Sequence, residues 1–148
     1  MKYFTLEELS ASTEARKMGI GNTPTAEAAK NLTALVDAVL DPLREKYGRP
    51  IHVSSGYRCP RLNKAVGGAV TSQHTTGEAA DIYVSRAREL AELFALIYYT
   101  LPFDQLIWER GTDEAPAWIH VSYREGDNRR ECLRYDGKRY YSYKPTLR

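Results

Sequence analysis

His74 and Asp81 sit close together in the polar stretch SQHTTGEAAD, residues 72–81, whereas His120 lies far along the chain in the apolar run AWIHVSY. For these three side chains to act together, the chain must double back between residues 81 and 120. That requirement limits the architecture more than any other feature of the sequence. Two histidines and one carboxylate make a three-ligand set for zinc with a fourth position left for water. Such an open site generates a nucleophile rather than merely holding a fold together. The surroundings of His74 suit that role. Ser72, Gln73, Thr75 and Thr76 have few packing duties, and Gly77 permits positive φ and close wrapping of the backbone.

The rest of the chain predicts a single domain spanning residues 1–148, since 148 residues suffice to bury a core without staples. Its 21 basic and 19 acidic residues leave a net charge of +2, which argues for neither a nucleic-acid nor an anionic-membrane partner. No apolar run approaches the ~20 residues that span a bilayer. The segment after Met1, KYFTLEELSAS, is amphipathic and acidic, unlike a secretory signal, so a cytoplasmic location at synthesis is expected. A monomer is expected as well. Two cysteines, Cys59 and Cys132, form no framework and are expected as free thiols. The 11 tyrosines, many late in the chain, suit strand faces or a carbohydrate- or peptide-binding groove.

Thr5-Leu6-Glu7-Glu8 is a capping box and predicts a short helix ending near Met18-Gly19. Thr23 or Thr25 starts a long helix whose apolar stripe is Ala28, Leu32, Leu35, Val36, Val39 and Leu43. Pro42 is expected to kink or divide it near Leu40-Asp41, and Gly48 ends it. Residues 51–55 alternate as a strand, and Pro60 opens a short helix. A second strand, residues 79–84, carries Asp81. Ser85 is expected to cap a helix with Leu90, Leu93, Phe94, Ile97 and Tyr98 at helical spacing. Residues 105–109 and 118–123 read as strands, the latter carrying His120. Asp136-Gly137 predicts a terminal hairpin. The expected class is α+β, a small and mainly antiparallel sheet flanked by helices.

The run SGYRCPRLNKAVGGAVTSQHTTGEAADI, with FDQLIWE and WIHVSY, resembles the zinc D-alanyl-D-alanine carboxypeptidase family, which includes phage endolysins that cut the L-alanyl-D-glutamate bond of peptidoglycan. The hallmark is S-x-H, then G-x-A-x-D, then a late histidine; here these are Ser72-Gln73-His74, the run from Gly77 to Asp81, and His120. The resemblance covers residues 4–123 as a core, with residues 124–148 as a hairpin extension. It implies a hedgehog/DD-peptidase-like fold and one zinc held by His74, Asp81 and His120. It also implies a peptidoglycan peptide substrate and, for a chain without an export signal, access to the wall through phage-type lysis.

The family usually carries an acidic general base a few residues before the last histidine, and here the position three residues before it is Ala117. Glu109, Asp113 and Glu114 remain. Glu109 is favoured, because it ends a strand that a hairpin would bring beside the metal, whereas the other two fall in a solvated loop. Arg58 is a candidate for holding a substrate carboxylate or stabilising an oxyanion. Ser72 and Gln73 are candidates for supporting the metal site or touching substrate. His52 has no motif around it. Cys59 at a helix start leaves a cysteine hydrolase conceivable, but without an orienting partner. Ala117 also keeps open a second reading, a zinc-containing binding module without catalysis, since hedgehog-type signalling domains resemble this family and act through partners.

Overall fold

The computed structural model describes residues 1–146. Its first segment is two helices rather than one: α1 (Leu6–Ser10) and α2 (Thr13–Met18). Thr5 Oγ1 accepts from the Glu8 N–H as the capping box requires. Ser12 then caps α2, so the extended residues at Ala11-Ser12 split the expected helix. Thr25, not Thr23, caps α3 (Ala26–Leu35). A π-helical turn, Val36–Leu40, follows and runs directly into α4 (Asp41–Tyr47). Pro42 has no N–H to give and its ring needs room, so the ladder widens just before it without breaking. Gly48 closes the helix in the left-handed conformation with φ 78°. All six stripe residues are buried.

The sheet has six strands: β1 (His52–Ser55), β2 (Ala79–Tyr83), β3 (Gln105–Glu109), β4 (Trp118–Ser122), β5 (Glu131–Tyr135) and β6 (Tyr140–Ser142). They lie in the order β1-β2-β4-β3-β5-β6. Every pairing is antiparallel except β3 with β5, which is parallel. The expected α+β fold with a mainly antiparallel sheet is therefore present, as is the terminal hairpin. Pro60 opens α5 (Pro60–Ala65). Ser85 does not cap the next helix. A 3-10 turn, Ala87–Glu89, comes first, and α6 (Leu90–Thr100) begins without a side-chain cap. Its apolar stripe, dense with Leu90, Leu93, Phe94 and Ile97, is buried in the core and makes capping dispensable.

Successive strand residues point to opposite faces. On one face Ala80, Ile82, Leu106, Trp108, Ile119 and Val121 join the core with α3, α4 and α6. On the other lie Asp81, His120, Ile107 and Glu109, aligned by cross-strand pairs Asp81↔His120 and Ile107↔His120. Both cysteines are free, and burial pushes the Cys132 thiol up to about 12. Among the described residues, no helix is long and apolar enough to cross a membrane.

Candidate metal centre and active site

His74 stands in a 3-10 turn, Gln73–Thr76, that Ser72 caps and Gly77 closes at φ 77°. A Cβ at Gly77 would strike the Ala28 carbonyl, so the glycine permits both the left-handed turn and the approach of α3. The ring is 3% exposed. His74 Nδ1 lies 2.7 Å from the Gly56 carbonyl oxygen. A carbonyl only accepts, so Nδ1 carries the proton and Nε2 offers a lone pair. That lone pair faces Asp81 Oδ1 at 3.4 Å, and His120 Nδ1 reaches the same oxygen at 3.1 Å. Two acceptors held face to face in a buried place need a cation between them, either a proton or a metal.

The group fits a metal. One ligand atom from each of His74, Asp81 and His120 lies within 4.8 Å of the others, and the three could hold a metal ion. Zinc bonds of 2.0–2.1 Å in a tetrahedron separate neighbouring ligand atoms by about 3.3–3.4 Å. The observed 3.1 and 3.4 Å contacts are close to that edge. Burial by itself would raise the Asp81 carboxyl; imidazoles that carry a proton toward it hold it well below the usual range, and a cation bound in the same place would favour the anion likewise.

Arg58 extends from the loop after β1. Its Nε donates to Ser55 Oγ at 3.0 Å and Nη1 to Asn63 Oδ1 at 3.0 Å, while Nη2 stands 3.7 Å from Asp81 Oδ2. The guanidinium thus sits behind the second oxygen of Asp81 and also lines the cleft. Ser72 Oγ accepts from the His74 N–H at 3.2 Å. Gln73 Nε2 donates to Asp104 Oδ2 at 2.9 Å. Asp104 is fully buried, and Arg129 donates to it from its backbone N, Nε and Nη2. Burial would raise the Asp104 carboxyl; Arg129 and Gln73 hold it down instead. Asp104, Asn63 and Gly56 were not singled out in the sequence. Only the FDQ of FDQLIWE hinted at the first.

Glu109 ends β3 beside Trp118, its cross-strand partner. It shares the face of His120, about 7 Å along the strand from Ile107. Its side chain is buried, 8% exposed, which pushes its carboxyl above the ordinary range; His120 and Arg110 oppose this and Asp81 adds to it. Asp113 pairs with Arg134 at 2.8 Å and, like Glu114, does not line the cleft. His52 packs on Tyr83 at 5.1 Å, away from the centre, and Cys59 caps α5 by accepting from the Leu62 N–H. The cleft over the metal group has a volume of about 830 Å³. Among the described residues, three buried side-chain polar atoms lack a hydrogen-bond partner: Gln73 Oε1, Trp118 Nε1 and His120 Nε2. All three residues line this cleft. Native proteins leave few such atoms, and each costs about 1–3 kcal/mol until something satisfies it.

A sequence model of the peptidase M15 family matches residues 2–122. The chain belongs to the peptidase M15 family. The match takes in every element from α1 to β4, including the three residues that could hold a metal. It stops before β5 and β6. A search of curated proteins returns no significant match. The Ala117 N–H donates to the Glu109 carbonyl at 2.8 Å, which sets the start of β4 beside the end of β3.

Proposed function

We propose that the protein is a zinc peptidase that hydrolyses the stem peptides of peptidoglycan, with His74, Asp81 and His120 as metal ligands and Glu109 as general base. The observation that carries this reading is the convergence of the three ligand atoms on one sheet face with a buried carboxylate, above a cleft large enough for a peptide. The family match supports hydrolysis of a peptide bond, and the resemblance of the SGYR, SxH and WIHVSY segments supports the wall peptide as substrate.

Zinc, when bound, supplies Lewis acidity that acidifies water and polarises a carbonyl. The chain does the rest. His74 keeps its proton on Nδ1 against Gly56 and presents Nε2. Asp81 stays ionised. Glu109 takes a proton from the attacking water and delivers it to the departing amine, and burial, by raising its carboxyl above the ordinary range, makes it a stronger base for the first of these transfers. Arg58 fixes the far oxygen of Asp81 and faces the cleft with positive charge, where it opposes build-up of negative charge on the substrate carbonyl. Ser72 and Gln73 hold the turn that carries His74.

Incubating purified peptidoglycan with the zinc-loaded protein and identifying the released ends by mass spectrometry tests the proposal. New amino and carboxyl termini within the stem peptide are expected. They also distinguish cleavage at D-alanyl-D-alanine from cleavage at L-alanyl-D-glutamate. Tight retention on the wall material with no new termini would instead support the binding module.

A further inference from the structure

The family match ends at residue 122, yet the cleft does not. Tyr135 on β5 and Tyr140 on β6 both line it. Their positions follow from register: Glu109 pairs with Tyr135 across β3 and β5, and Tyr135 pairs with Tyr140 across β5 and β6. The three residues form one row on the face of the metal group. The two phenol rings stack at 4.3 Å with an interplanar angle of 30°.

Arg110 completes the row. In a continuing strand it would point to the core face, opposite Glu109. Instead its φ is 53°, a left-handed conformation that a non-glycine residue adopts at some cost. Its N–H donates to the Tyr135 carbonyl at 2.7 Å, and its guanidinium lies 5.3 Å from the Tyr135 ring centre. A Cβ at Gly137 would come within 3.3 Å of Arg110 Nη1, so the hairpin turn leaves room for the group. Three arginines line the cleft. Arg58 faces Asp81 and Arg129 faces Asp104. Among the described residues, the Arg110 guanidinium has no carboxylate partner. A cation re-aimed into a cleft, held on an aromatic ring and in salt-bridge contact with no carboxylate, though near enough to Glu109 to act on it, is placed to take an anion from elsewhere.

We propose that Arg110, Tyr135 and Tyr140 form a substrate subsite that binds a carboxylate of the peptide on the Glu109 side of the metal centre. This inference rests on the peptidase reading for the identity of the ligand. The guanidinium receives the carboxylate, the stacked rings cover the adjoining aliphatic part, and the phenol groups donate to its oxygens. A phenol hydroxyl donates as well as accepts, so either ring's hydroxyl can serve a carboxylate directly. Specificity for an anionic peptide then draws on the two hairpin tyrosines, which lie outside the residues matched by the family, together with Arg110, which lies within them.

The test uses the full chain carrying Glu109→Gln and loaded with zinc, so that binding is read without turnover. The probes are a synthetic stem pentapeptide with free carboxylates and the same peptide with every carboxylate amidated, titrated calorimetrically. The free acid is expected to bind at least tenfold more tightly. Arg110→Gly, which suits the left-handed backbone, should bring that ratio to about one, and Arg110→Lys should restore part of it. Tyr140→Ala, at an exposed position that leaves the fold intact, should weaken the free acid. Equal binding of the two peptides, no binding of either, or an equal loss for both in Arg110→Gly overturns the subsite. Cleavage by the wild type separates the two readings. Cleavage without discrimination leaves the peptidase and removes the subsite. Arg110-dependent discrimination without cleavage does the reverse.

Discussion

The central strands β2, β3 and β4 carry opposite chemistry on their two faces. On the core face, Ala80, Ile82, Leu106, Trp108, Ile119 and Val121 are at most 1% exposed. That face gains free energy by excluding water. On the other, Asp81, Glu109 and His120 place ionisable groups and unpartnered polar atoms in a partly dry cleft, at a cost to stability. The alternation of a strand ties the two together. Asp81 stands between Ala80 and Ile82, and His120 between Ile119 and Val121, so both strand-borne candidate ligands are fixed by two residues locked in the core. Precision on one face derives from close packing on the other.

Breaking the polar face should have the largest effect on function and little on folding. His74→Ala, Asp81→Ala or His120→Ala is expected to remove the metal and reduce peptide cleavage to background, read by elemental analysis of protein prepared without chelators and by a cleavage assay. Near-stoichiometric zinc in any of the three would refute the ligand set. Glu109→Gln is expected to keep zinc and lose roughly 10²–10⁴-fold in turnover. The same change sharpens the contrast through stability. Burial raises the folded carboxyl of Glu109 above its unfolded value, so folding favours its protonated form. In the metal-free protein this contribution is fully present below the ordinary carboxylate range and is lost as pH rises through the raised value. Chemical denaturation of the metal-free pair across that window should show the wild type losing stability relative to Glu109→Gln as pH rises; parallel curves would contradict the assignment.

Breaking the core face should have the converse effect. Trp108→Ala removes a fully buried ring that meets Phe94 at 5.4 Å and Tyr143 at 5.4 Å, and should cost about 3–5 kcal/mol in urea unfolding. A loss below about 1 kcal/mol would mean the core does not depend on it. The smallest effect is expected at Gln73→Ala, which cuts the link from the His74 turn to Asp104. Supporting contacts of this kind are worth roughly 10–100-fold in metal affinity. The low end is expected here, since Ser72 still caps the turn, and competition with a chromophoric chelator measures it.

The core face was the more legible in the sequence. The stripe from Ala28 to Leu43 and the alternation along β2, β3 and β4 are local patterns set by one water-excluding face. His74, Asp81 and His120 were legible as a group through their motifs, and Glu109 through its place at a strand end. What escaped depends on distant segments. Asp104 looks like an ordinary loop aspartate until Gln73 and Arg129 close around it. The approach of Arg58 to Asp81 needs β1 and β2 paired beside each other. In KRYYSY both Tyr140 and Tyr141 are aromatic, so alternation cannot say which one faces the cleft; only the register with Tyr135 decides. The parallel pairing of β3 with β5 and the replacement of a Ser85 cap by a 3-10 turn are tertiary outcomes that override local signals.

Gly56 joins a remote part of the chain to the electronic state of the centre. Its carbonyl receives the His74 Nδ1 proton, a side chain at its α-carbon would collide with the Leu9 carbonyl, and the next N–H, of Tyr57, donates to that same carbonyl at 2.7 Å. The tautomer of a buried imidazole is therefore set against a backbone that α1 holds in place. An N-terminal lesion that undocks α1 would first appear as a drop in metal affinity, with the sheet and its circular dichroism still intact.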